Sequence, residues 1–199
     1  MILSNEGIKL ALQTGDIGIT PVPRPEQYTT SAVDLVLGDD FRIWDEERLS
    51  VPGARIDLNL AEQQFNRTAR AYLREMPKER DGSVVFPPYS RHPWHILGQT
   101  RERVSLNAAA RLAARVEGRS SFARLGLVVH LTAPTIHAGF EGNITLEMIN
   151  FGPFHLRLVP GDTRICQLIL ERLETDPTQE IATDFQGQMT PAGERTPAL

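Results

Sequence analysis

Two short stretches hold residue types and spacings that could do chemistry. The first is Val116-Glu117-Gly118-Arg119-Ser120-Ser121-Phe122-Ala123-Arg124-Leu125-Gly126. A strand ending at Gly118, two serines offering cap hydroxyls and a one- or two-turn helix reaching Gly126 would present free backbone N–H groups. Arg119 and Arg124 add positive charge, so the stretch suits an anion such as a phosphate. A capped surface turn with two solvated arginines fits the same spacing. The second stretch is Asn143-Ile144-Thr145-Leu146-Glu147-Met148-Ile149-Asn150. Here Ile144, Leu146 and Met148 alternate onto one strand face, which sends Glu147 to the other with Thr145 and Ile149. Glu147 could simply meet water there, or be a partly desolvated carboxylate with a raised pKa that takes and returns a proton.

Composition excludes several classes of function. With a net charge of −4 the chain has no global basic field for nucleic acid, and any bound anion must be gripped locally. A single cysteine, Cys166, excludes an intrachain disulfide framework and a multi-cysteine metal site; its apolar run suits an inert buried thiol. The start MILSNEGIKL lacks the pattern of a signal peptide, and no apolar run reaches the roughly 20 residues of a membrane span. A cytoplasmic protein with no nucleic-acid or membrane partner is expected.

The elements that must position these residues are mostly strands. At 199 residues the chain fits one domain, and its 14 prolines and 15 glycines cut it into short segments. A helix is expected over residues 4–14, capped by Ser4 and ended by Gly15. The segment Thr20–Pro25 is extended, Ala32–Gly38 is a strand, and Phe41–Trp44 is its expected partner. Residues 46–82 are charged and weakly patterned, with a surface helix expected over Ala61–Arg74. Further strands are expected at Ser83–Pro88, Trp94–Thr100, Arg111–Val116, Leu127–Thr132, Asn143–Asn150, His155–Val159 and Arg164–Glu171. Short strands at this spacing predict a mainly β sandwich or barrel with few helices. The polar segment 174–199 reads as a mobile tail.

Several stretches together resemble the dCTP deaminase family, which is similar in fold to the trimeric dUTPases. Gly118–Leu127 looks like its signature, joined by Ser31–Gly38, Ala138–Gly142 with Thr145-Leu146-Glu147, Pro160–Ile169, and Phe185-Gln186-Gly187-Gln188. The resemblance implies a distorted, jelly-roll-like β-barrel of the dUTPase type and hydrolytic deamination of dCTP to dUTP and ammonia, at a cyclic amidine C–N bond in pyrimidine deoxynucleotide metabolism. It implies Glu147 as general base and then acid on the attacking water. Ser120 and the Ala133 carbonyl would hold that water, and Arg124 would assist at the base. Arg119, Ser121 and Gln167 match phosphate-side positions, while Thr135, His137, Phe185 and Gln188 match other nucleotide contacts. It also implies Mg²⁺ carried with the triphosphate, a homotrimer sharing active sites between subunits, and a tail that closes over the nucleotide. Related ligands would be dUTP and dTTP. Zinc is not expected: zinc deaminases use an H-x-E and a P-C-x-x-C pattern, and this chain has neither.

Two departures stand out. His137 replaces the family's usual aspartate, although an imidazole can also bond a sugar hydroxyl. Asp184 and Phe185 stand where many members have lysine and tyrosine, and an acid there would repel a triphosphate unless it points away or binds the Mg²⁺. A bifunctional enzyme that also releases dUMP and pyrophosphate is the alternative within enzymes. A non-catalytic nucleotide-binding trimer is the alternative of another class. His92, His95 and His155 show no ligand spacing, so they read as ordinary strand or surface residues, and His130 as support for the Ala133 loop.

Overall fold

A computed structural model of the chain describes residues 1–50, 55–60, 65, 68–179 and 185–195. The expected first helix, α1 (Asn5–Thr14), forms: the Ser4 hydroxyl accepts the Gly7 N–H, and Gly15 closes it at φ 76°. Then follow β1 (Ile17–Thr20), β2 (Val33–Val36), β3 (Arg42–Trp44), α2 (Glu46–Leu49), β4 (Leu73–Glu75), β5 (Val84–Phe86), β6 (Ile96–Leu106) and β7 (Leu112–Gly118). After these come α3 (Ser120–Ala123), β8 (Leu127–Val128), β9 (Thr135–Ile136), β10 (Glu141–Asn150), β11 (Leu156–Leu158) and β12 (Arg164–Arg172).

The fold is mainly β. One sheet runs β4-β3-β6-β10-β8, with β1 also on β6; a second runs β2-β12-β7-β9; β5 and β11 form a small ribbon. Among the described residues an isolated bridge, Leu37 to Thr100, runs between the end of β2 and β6, and the sheets do not close into a barrel. Alternation builds the core between the sheets. Ile144, Leu146 and Met148 of β10 meet Val33 and Leu35 of β2 and Cys166, Leu168 and Leu170 of β12 in one apolar cluster. Cys166 is fully buried, which pushes its thiol pKa up and leaves it inert, as expected. Among the described residues no helix is long and apolar enough to cross a membrane.

Three expectations need correction. Phe41–Trp44 is not the partner of the strand before it: β3 pairs with β4 and β6, while β2 joins β12 in the other sheet. Local sequence carries no record of that long-range choice. The expected helix Ala61–Arg74 lies partly outside the described residues, at Ala61–Gln64, Asn66 and Arg67. Of the described remainder, Phe65 is helical as expected, but Ala69–Tyr72 is a 3₁₀ turn running into β4, whose pairing with β3 overrides helical propensity there. The strand expected at Leu127–Thr132 stops at Val128, and Thr132 adopts φ 52°.

Candidate active site

Glu147 sits mid-way along β10, opposite Leu97 of β6. With Leu146 and Met148 fully buried on the core face, Glu147 must face the other way, into a cavity of about 470 Å³. Its Oε2 accepts the Leu131 N–H at 3.4 Å. Burial pushes its carboxyl pKa above the usual range, and the Leu131 amide, its own amide and His130 only partly oppose this. A glutamate raised in this way is suited to taking and giving back a proton.

The cavity is lined mainly by apolar residues, with Glu147 and a few other polar side chains among them. Ala133 and Thr135 line it, as do Phe185 and Gln188, so four of the residues expected around Glu147 do meet it. Trp44, Phe65 and Phe140 supply flat apolar surface fit for a heteroaromatic ring. Phe185 is held edge-on to Phe65, with ring centres 5.8 Å apart.

Segment 185–195 lies along the start of β10. Gly187 N–H donates to Glu141 O at 2.7 Å, Asn143 N–H to Gln188 O at 3.0 Å, and Gln188 Nε2 to Asn143 O at 2.8 Å. The approach needs a glycine at 142, because a Cβ there would stand 2.9 Å from the Gln188 carbonyl oxygen. Asp184 lies outside the described residues.

Two histidines also line the cavity. His130 stands 3.9 Å from Glu117 through Nε2, and its buried Nδ1 has no hydrogen-bond partner among the described residues. His95 is a site residue that sequence reasoning passed over. The Trp44 indole N–H donates to His95 Nδ1 at 3.3 Å, and burial pushes the imidazole pKa down. With Nδ1 accepting that N–H, the ring carries its proton on Nε2, which has no partner among the described residues. The available signal was parity: His95 lies two residues from Leu97 and so shares its face, but only the pairing of Leu97 with Glu147 gives that face meaning.

The remaining expected residues lie elsewhere. Ser120 and Ser121 on α3, and Arg124 at its C-cap, are exposed and do not line the cavity. Neither serine caps that helix, because α3 begins at Ser120 and Arg119 occupies the cap position without a side-chain bond. Its exit is pinned where Gly126 (φ 89°) crosses Gly152; a Cβ on Gly126 would stand 2.2 Å from the Gly152 nitrogen. His137 is exposed in the turn before β10, outside the cavity lining, and its carbonyl accepts the Phe140 N–H at 3.1 Å. Arg119 and Gln167 meet at Asp34 of β2: Gln167 Nε2 donates to Asp34 Oδ1 at 2.9 Å, and Arg119 Nη2 lies 3.7 Å from Oδ2. Within one chain, then, the expected residues form two groups, one around Glu147 and one around Asp34 and α3. Among the described residues, no group of three or more His, Cys, Asp or Glu is arranged to hold a metal ion.

The family model described as dCTP deaminase-like matches residues 2–173. A dUMP-forming dCTP deaminase of Methanosphaera stadtmanae is 38% identical over 181 residues, covering 90% of this chain and 82% of the relative. A dCTP deaminase of Rhodospirillum rubrum is 36% identical over 202 residues, covering 98% and 96%. Among solved structures, the 2′-deoxycytidine 5′-triphosphate deaminase of Agrobacterium tumefaciens superposes with a TM-score of 0.59 at 20% identity, which speaks to fold alone. That match covers 85% of this chain, which spans 47% of the length of the solved one. With a family model spanning most of its length and relatives above 30% identity over nearly all of it, this chain belongs to the dCTP deaminase-like family.

Proposed function

We propose that the chain hydrolyses dCTP to dUTP and ammonia in pyrimidine deoxynucleotide metabolism, by a zinc-independent route with Glu147 as general base and acid. The observation that carries this reading is Glu147 itself: a half-buried carboxylate with a raised pKa, facing an aromatic-walled cavity. As base, Glu147 takes a proton from the water that adds to C4 of cytosine. As acid, it returns that proton to the departing amine as the C4–N bond breaks, while the second water proton leaves the C4 hydroxyl for N3 as the carbonyl forms, so no net proton is consumed at the residue. The Ala133 carbonyl and the Ser120 hydroxyl hold the water, and Arg124 steadies the base. Mg²⁺ enters as part of the substrate, on the triphosphate. The lone cysteine, buried as Cys166, supports a route without the cysteine-rich zinc set.

The two separate groups of site residues support an assembly in which one chain supplies Glu147, Ala133 and Thr135, and a neighbour supplies Arg119, Ser120, Ser121, Arg124 and Gln167. A homotrimer with shared sites satisfies that division. Segment 185–195, lying along β10 with Phe185 and Gln188 in the cavity lining, supports a tail that covers the nucleotide. His137, exposed outside that lining, is assigned to the sugar hydroxyl on its chemistry alone. The name of the Methanosphaera relative favours a second reading, in which dUTP is carried on to dUMP and pyrophosphate.

One incubation with dCTP and Mg²⁺, resolving dUTP, dUMP, pyrophosphate and ammonia, tests both readings. Ammonia with dUTP alone supports simple deamination, and dUMP with pyrophosphate supports the bifunctional enzyme. Tight nucleotide binding with no ammonia over hours refutes both and leaves a non-catalytic nucleotide-binding trimer.

A further inference from the structure

The group around Asp34 holds a residue that the reading above does not use. Arg164 lies three positions before Gln167, and in a regular strand an odd separation puts two side chains on opposite faces. Here the ladder between β12 and β2 shifts register between Arg164 and Cys166, with Arg164 opposite Val36 but Cys166 opposite Leu35. That bulge turns Arg164 onto the face of Gln167, and both reach the same carboxylate. Arg164 Nη1 lies 3.4 Å from Asp34 Oδ2 and donates to Glu26 O at 2.7 Å. Arg119 Nη1 donates to the Arg164 backbone carbonyl at 3.1 Å, which ties the two arginines together.

The charges do not balance within this group. Asp34 is only 2% exposed and is the single carboxylate that the two guanidiniums share. The nearby acids are engaged elsewhere: Glu26 with Arg24, Glu117 toward His130, and buried Glu102 with the Gln27 amide and the Val36 N–H. One positive charge is left over. The Nε and Nη2 hydrogens of Arg164, and the Nε hydrogen of Arg119, have no partner among the described residues. Both side chains are partly open to solvent, at 36% and 27%. Two half-neutralised guanidiniums held side by side by one buried acid form a receptor for a second, incoming anion.

We infer that Arg164 is a polyphosphate-binding residue, and that Asp34 is the positioning residue that seats it beside Arg119 and Gln167. The inference rests on the proposed nucleotide chemistry and deepens it, by adding a grip on the phosphoryl end that is separate from the base chemistry at Glu147.

The test uses the full chain and inorganic tripolyphosphate as the probe, titrated calorimetrically beside dCTP kinetics. Arg164→Ala should weaken tripolyphosphate binding and raise the KM for dCTP by roughly tenfold, about 1.4 kcal/mol, with kcat little changed. Arg164→Lys should recover part of the loss, and Arg157→Ala, at an arginine paired with Asp81, should change neither. Asp34→Asn separates positioning from bulk charge. Positioning predicts weaker binding although the net charge becomes more positive, whereas tighter binding would overturn the role given to Asp34. Wild-type tripolyphosphate affinity in Arg164→Ala, at an unchanged melting temperature, would overturn the role given to Arg164. The outcome is separable from the proposed reaction. If dCTP is never deaminated but tripolyphosphate binding depends on Arg164, the anion site stands without the deaminase reading. If dCTP is turned over with a wild-type KM in Arg164→Ala, the reverse holds.

Discussion

Glu147→Gln perturbs the proposed reaction at a single proton. Glutamine matches glutamate in size and keeps an oxygen for the Leu131 N–H at 3.4 Å, so the local fold should survive. What disappears is a group able to hold a proton between water and leaving amine. Positioned general acid–base catalysis contributes about 10²- to 10⁴-fold. At about 1.36 kcal/mol per tenfold, the transition state should rise by about 2.7 to 5.4 kcal/mol. The expected result is a kcat lower by at least about 10² with a dCTP dissociation constant unchanged to within about threefold. Stability gives an independent sign. Burial raises the folded carboxyl pKa above the unfolded one, so its stabilising contribution is full below the ordinary glutamate range and is lost as pH rises through the folded value. The glutamine variant should therefore melt at or above the wild type at pH 8, with that advantage gone in acid. Ammonia release, equilibrium binding and melting curves at both pH values form the assay. Unchanged turnover would refute the catalytic role, and loss of binding together with stability would mark Glu147 as a structural residue.

Other outcomes follow from the same geometry. Wild-type kcat should fall on acidification from a pH above the ordinary glutamate range, because the base must be ionised; a pH profile flat down to the ordinary glutamate pKa would contradict this. Gly142→Ala places a Cβ against the Gln188 backbone, so segment 185–195 should lift away, KM should rise several-fold and trypsin should cut at Arg195 faster; unchanged proteolysis would show that the contact is slack. For His95, burial lowers the folded pKa, so its contribution is full above the unfolded value and lost as pH falls. His95→Phe should flatten the decline of the urea midpoint between about pH 7 and 5, and an equally steep decline in the variant would place the effect elsewhere.

Parity and capping made much of this protein legible from its residues. The alternation Ile144, Leu146, Met148 could only bury one face of a strand, so Glu147 had to lie on the other. Ser4 and Gly15 bounded α1 because a hydroxyl and a left-handed glycine satisfy helix ends locally. The spaced motifs also pointed to the family, since each is a short run whose chemistry survives without knowledge of its neighbours in space. Pairing was a different matter. That β3 joins β6 rather than β2 depends on contacts dozens of residues apart, and nothing in Phe41–Trp44 encodes it. The same kind of contact brought His95 and Trp44 to Glu147, because a residue's face has meaning only once its strand has a neighbour and a register. Arg164 shows the limit most sharply. Counting residues from Gln167 puts it on the wrong face, and only the bulge opposite β2, a feature of two strands together, turns it toward Asp34.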